Sequence, residues 1–141
     1  MIRYELEQQL FDGTLTVDDL PAAWNRLYRE YLGIDVPSDR EGVLQDSHWS
    51  GGMFGYFPSY ALGSAYGAQM LAVMKTTVDV DGCISQGNLS PINEWLNTHI
   101  WQHGGLYDPE VLLENALGMP FDPHYYVRYL KEKYSEIYHL Q

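Results

Sequence analysis

Apolar residues recur at helical spacing through most of this chain, and no convincing alternating strand pattern interrupts them. Ile2, Tyr4, Leu6 and Leu10 predict a short helix over residues 2–11, stopped by Asp12-Gly13. No capping residue precedes it, so the chain opens in mid-helix, as a domain cut from something longer would. Thr16 and Asp19 form a capping box, and Pro21 is tolerated only because it falls close behind that start. Leu20, Trp24, Leu27, Tyr28, Tyr31 and Leu32 then make the aromatic stripe of an amphipathic helix ending at Gly33. Such a stripe reads as core before it reads as a cofactor site. Residues 34–41 are a polar connector containing Pro37. From Ser59 to about Val78 the pattern predicts a helix with little polar face, hence a buried one, begun behind Pro58. Gly63, Ala65, Gly67, Ala68 and Ala72 would let neighbours approach it closely, and Gln69 should find a buried partner. Asp79 to Asn88 reads as a loop. Ser90-Pro91, Asp108-Pro109 and Asp122-Pro123 are three successive cap-plus-proline helix starts. The expectation is an all-α fold, with residues 1–141 as a single helical domain.

Composition narrows the class. A chain of 141 residues, 45% apolar and 19% charged, suits a globular domain with one core. The net charge of −11 excludes non-specific nucleic-acid binding, which needs Lys and Arg to displace counterions, and it disfavours anionic membranes. No apolar run reaches transmembrane length, and the N-terminus lacks a signal-peptide pattern. The lone Cys83 precludes an intrachain disulfide and suits a reducing cytoplasm, the expected location.

Five histidines invite a metal reading. His99 and His103 are spaced by four, but Ile rather than Glu follows His99, and His103 sits at a helix end against Gly104-Gly105. His124 and His139 read as surface residues, and Cys83 has no companion at ligand spacing. No metal site is expected in this chain. The stretch from Gly42 to Tyr60 differs: it carries Gln45, Asp46, His48, Trp49, Tyr56 and Tyr60 on a glycine-rich passage. A histidine and a tyrosine converging on one spot can donate hydrogen bonds to a developing oxyanion. Equally, His48 can be a buried histidine satisfied by Asp46, with tyrosines that only cap a helix. The residues alone leave both readings open.

Gly42-Val43-Leu44-Gln45-Asp46-Ser47-His48-Trp49 matches the pattern GxxQDxHW and resembles the carboxypeptidase Taq family of thermostable zinc metallocarboxypeptidases. The continuation Ser50–Gln69, the run Trp95-Leu96 to His99-Ile100, and Tyr129 to Tyr134 are similar too. The resemblance spans essentially the whole chain but only the C-terminal part of a family member. It implies an all-helical, groove-forming homodimer, related in architecture to angiotensin-converting enzyme and thimet oligopeptidase, that removes C-terminal residues from peptides. It implies zinc (or cobalt) in the complete enzyme, held by an HExxH helix and a downstream glutamate, both upstream of the residues present here. By the same resemblance His48 and either Tyr60 or Tyr56 would be catalytic, stabilising the oxyanion or holding the peptide carbonyl. Asp46 would orient His48, and Gln45, Asp46 and Trp49 would form the substrate-binding surface. The chain alone would then be inactive. A different class, a non-enzymatic helical peptide-binding or oligomerisation module, also fits, as less readily does a small hydrolase built on His48 and Asp46.

Overall fold

The computed structural model describes residues 1–140 as helices joined by turns, with no strand among them. The helices are α1 (Ile2–Asp12), α2 (Leu20–Leu32), α3 (Pro58–Met74), α4 (Val80–Ser85), α5 (Ser90–His99), α6 (Pro109–Leu117) and α7 (His124–Tyr138). Short 3₁₀ turns lie at Asp39–Glu41, Val43–Gln45 and Trp101–His103. The all-α expectation holds. The chain divides into two compact units, Met1–Ala61 and the remainder from Leu62 onward.

In the first unit the apolar stripes of α1 and α2 meet, and Leu6, Leu20, Ala23, Trp24, Leu27 and Val43 form the core. Trp24 is buried and stacks on Tyr28 with ring centroids 5.0 Å apart, so it is a core residue. Thr16 and Asp19 do pair, the Thr16 hydroxyl donating to the Asp19 carboxylate (2.6 Å) and the Asp19 N–H to Thr16 Oγ1 (3.2 Å), but in the turn ahead of the helix. α2 begins at Leu20 with Asp19 as its cap, so the expected capping box is not formed. The stripe on α2 ends earlier than its spacing predicts. Tyr31 and Leu32 are exposed, because at the last turn Tyr31 meets not an apolar partner but the Glu5 carboxylate, to which its hydroxyl donates (2.8 Å). The connector then folds back tightly. A Cβ at Gly42 would come within 2.6 Å of Val36 Cγ1 and 3.1 Å of the Ser38 carbonyl, so only glycine fits where the GxxQDxHW segment starts.

In the second unit Met74, Val80, Trp95, Leu113 and Leu117 are the core. α3 is not the wholly buried helix that its composition predicts. Only Ala65, Ala68, Gln69 and Met74 are buried, Leu62 is exposed, and a Cβ added at Gly63 or Gly67 would meet nothing within 4 Å. Small apolar side chains make every face of α3 compatible with burial, but among the described residues only one face is covered. The predicted loop over Asp79–Asn88 contains α4, because the Asp79 carboxylate accepts the Gly82 N–H (3.1 Å) and starts a short helix. Ser90 is the first residue of α5 rather than its cap; its own N–H is taken by the Asn88 side chain (3.3 Å). Asp122 does act at the start of α7, accepting the His124 N–H (2.9 Å).

Gln69 is fully buried and finds the partners its position demands. Its Nε2 donates to the Pro120 carbonyl (2.9 Å), and its Oε1 accepts the Asp122 N–H (2.8 Å), so one side chain ties α3 to the turn that launches α7. Gln69→Leu should therefore destabilise the chain by about 2–3 kcal/mol, since it strands a backbone donor and acceptor. Denaturant unfolding followed by circular dichroism measures this; a loss under about 0.5 kcal/mol would mean that water replaces the amide.

Candidate active site

The GxxQDxHW segment leaves its 3₁₀ turn at Gln45 and bends at Asp46, whose side chain is only 3% exposed. Each carboxylate oxygen has its own partner. Oδ1 accepts the His48 backbone N–H (3.0 Å), a local turn that aspartate favours, and also faces His48 Nδ1 at 2.5 Å. Oδ2 accepts from Arg3 Nη1 at 2.7 Å, bringing in the first turn of α1. On the far side of the imidazole, Nε2 lies 2.8 Å from the Tyr60 hydroxyl. The result is a continuous line, Arg3–Asp46–His48–Tyr60, running from the part-buried guanidinium to an exposed phenol.

The chemistry of the partners fixes the proton positions. A carboxylate only accepts, so His48 Nδ1 must be the donor to Asp46. In the neutral imidazole Nε2 then carries a lone pair, and the Tyr60 hydroxyl donates to it. Burial pushes the Asp46 pKa up, but the Arg3 hydrogen bond and the two His48 hydrogen bonds outweigh it and hold the carboxyl below its ordinary value. Buried Phe57 forms the apolar floor, its ring 5.0 Å from His48 and 5.8 Å from Trp49.

The glycine-rich turns between His48 and Phe57 set where the tyrosines stand. Gly52 and Gly55 have φ of 75° and 71°, a region that side chains resist. Glu7, one helical turn beyond Arg3 and 5% exposed, holds both ends of this passage. One carboxyl oxygen accepts from Trp49 Nε1 (2.7 Å) and the other from the Gly55 N–H (2.6 Å). Trp49 is accordingly half-buried against the core, with its indole N–H turned to Glu7. Gln45 is exposed, and its amide donates to the Arg40 carbonyl. Tyr56 joins through its ring, edge-on to Tyr60 at 5.3 Å and 6.1 Å from His48. Of the two tyrosines it is therefore Tyr60 whose hydroxyl meets the imidazole.

Arg3, Glu7 and Phe57 are the site residues that sequence reasoning missed. The available signal was faint: two charged side chains, at 3 and 7, flank the Ile2–Leu6–Leu10 stripe on the side that turns inward. Two of the remaining histidines have partners of their own in the second unit. His99 stacks on Trp95 at 4.2 Å with Nδ1 on the Trp95 carbonyl, and His124 pairs with Asp122 at the surface.

A profile of the family described as carboxypeptidase Taq (M32) metallopeptidase matches residues 1–134. This chain belongs to that family. Carboxypeptidase 1 of Bacillus subtilis is 43% identical over 139 residues, which are 98% of this chain and 28% of the relative. Thermostable carboxypeptidase 1 of Thermus thermophilus is 37% identical over 139 residues, 98% of this chain and 27% of its own length. The solved structure of Trypanosoma cruzi metallocarboxypeptidase 1 superposes with a TM-score of 0.89 at 42% identity, over 94% of this chain and 28% of that one. The chain thus spans little more than a quarter of the relatives it matches.

A metallopeptidase family implies a metal, and the residues here do not fit one. No three His, Cys, Asp or Glu side chains gather into a ligand set among the described residues, and both His48 nitrogens are already bonded. No helix is long and apolar enough to cross a membrane among the same residues.

Two outcomes follow. Glu7→Ala strands the Trp49 and Gly55 N–H groups and should cost about 2–3 kcal/mol in denaturant unfolding; an unchanged midpoint would dismiss Glu7 as the latch of this passage. Asp46 has a depressed pKa in the fold, so its stabilisation is present above the ordinary carboxylate value of about 3.9 and lost as pH falls through the folded value. Thermal melts against pH should therefore show a gap between wild type and Asp46→Asn that is full above about pH 5 and closes in acid. A pH-independent gap would contradict this.

Proposed function

We propose that this chain supplies the oxyanion-stabilising wall of the active-site groove in a metallocarboxypeptidase that releases C-terminal residues from peptides. The observation that carries the reading is the 2.8 Å contact between His48 Nε2 and the exposed Tyr60 hydroxyl, backed by Asp46, inside the segment that matches the family pattern. A proton arriving on Nε2 reverses that bond. The imidazolium then donates to the phenol oxygen, and the Tyr60 O–H is freed to donate to an oxygen on which negative charge develops. Asp46 stabilises the imidazolium and keeps the ring aligned. Tyr56 supports Tyr60 through its ring, Gln45 lies exposed where peptide backbone would pass, and Trp49 shapes the same surface through the turn it anchors. The complete enzyme would be a cytoplasmic homodimer carrying zinc, or cobalt in its place, on residues outside this segment. The part proposed for this chain is hydrogen bonding alone, so the chain by itself should release nothing.

The second reading, a helical peptide-binding or oligomerisation module, draws on the exposed Val127, Ile137 and Tyr138 of α7. One experiment separates the two. Residues 1–134 are exchanged for the matching segment of the Bacillus subtilis carboxypeptidase, and release of C-terminal residues is measured with metal content. Tyr60→Phe and His48→Ala should each lower kcat by about 10²–10³ with metal content unchanged, and Tyr56→Phe by less. Unaltered turnover in both would sink the catalytic reading and favour the module. Loss of metal would make His48 a metal-linked residue instead.

A further inference from the structure

Arg3 and Glu7 lie four residues apart on α1 and carry opposite charges, a spacing at which such side chains commonly pair with each other. Here each is engaged elsewhere. Glu7 has both oxygens on the glycine-rich passage, at Trp49 Nε1 and the Gly55 N–H. Arg3 reaches 43 residues along the chain to Asp46 Oδ2, and its guanidinium lies over two rings of the site, 4.8 Å from the Phe57 centroid and 5.8 Å from that of Tyr60. One residue therefore touches the carboxylate at one end of the Asp46–His48–Tyr60 line and the aromatic ring at the other.

We propose that Arg3 is a positioning residue for the His48–Tyr60 pair, fixing the Asp46 carboxylate so that His48 carries its proton on Nδ1 and the Tyr60 hydroxyl points its proton at Nε2. The inference deepens the reading of this pair as the oxyanion-binding group and rests on it for its meaning in turnover. Asp46 is only 3% exposed with Arg3 in place, and removing Arg3 takes from Oδ2 the guanidinium that holds it. The carboxylate must then rotate or draw its partners differently, and the Nδ1–H tautomer loses the fixed acceptor that selects it. With the proton on Nε2 instead, the imidazole donates to the phenol oxygen and the Tyr60 O–H is released before any substrate is present. Arginine suits this task because one guanidinium nitrogen bonds Oδ2 while its central carbon lies over the Phe57 and Tyr60 rings. Position 3 thus governs the direction of a hydrogen bond in which it takes no part.

The test reads the tautomer directly, in the 141-residue chain labelled with ¹⁵N-histidine, from long-range proton–nitrogen spectra. Wild type should show His48 as one species protonated at Nδ1. Arg3→Met should show a mixture of the Nδ1–H and Nε2–H forms, and Arg3→Lys should restore the Nδ1–H form by returning a cation to Oδ2. A folded Arg3→Met chain with an unchanged single tautomer overturns the proposal, even if its stability has dropped. If Arg3→Met does not fold, Arg3→Ala, which likewise removes the donor to Oδ2 and suits a helix, is read in the same way. In the Bacillus subtilis exchange protein, Arg3→Met should lower kcat by about 10- to 100-fold with KM held. A mixed tautomer with undiminished kcat leaves the positioning role standing and removes the catalytic reading of His48 and Tyr60. A reduced kcat with the tautomer unchanged rejects the role assigned to Arg3.

Discussion

The Asp46 carboxylate is the junction on which the first unit of this protein depends. It is nearly excluded from solvent, and its two oxygens serve three donors: the Arg3 guanidinium, the His48 backbone and the His48 ring. A buried carboxylate survives only when its lone pairs are answered, and here the answers come from opposite ends of a long stretch of sequence. Satisfying one acidic group thereby fixes the first turn of α1, the bend after the Val43–Gln45 turn and the plane of the imidazole. Tyr60 is then held by whatever His48 can offer on its other nitrogen. The polarity of that last contact is a consequence of the first one.

α1 has a second such role through Glu7. Its carboxyl group receives an indole N–H and a glycine N–H from the two ends of the passage between Trp49 and Gly55. Glycines at 52 and 55 give that passage a backbone shape that other residues would resist, and Glu7 selects one shape from the many that glycine permits. Tyr56, Phe57 and Tyr60 consequently stand in a fixed order around the imidazole. A short helix organises the site through two polar side chains, Arg3 and Glu7, rather than by its apolar stripe.

The second unit shows a different balance. Its core is centred on Trp95 and Leu113, and Gln69 anchors the α6–α7 turn through two backbone hydrogen bonds. Beyond that, much apolar surface remains uncovered, on α7 and around Leu62 of α3. Family members are about three and a half times as long as this chain, which spans 28% of the Bacillus subtilis relative. The small residues of α3 suit close packing, and among the described residues that packing exists on one face only.

Local chemistry in the sequence was enough to determine the longer helices, most of their ends and the segment that carries the site, though not the short α4. Period, capping and glycine stops act within a few residues of themselves, so Gly13 and Gly33 could be read as terminators without knowing what lies nearby. The buried demand of Gln69 was equally legible, because an amide on an apolar helix must be answered. Its partners were not. Whether α3 would be covered, that Tyr60 rather than Tyr56 would meet His48, and that Arg3 and Glu7 would hold the site were decided by the tertiary structure. The reason is physical: each of those outcomes depends on which surfaces meet across the fold, and a side chain's partner 40 residues away leaves no trace in local periodicity.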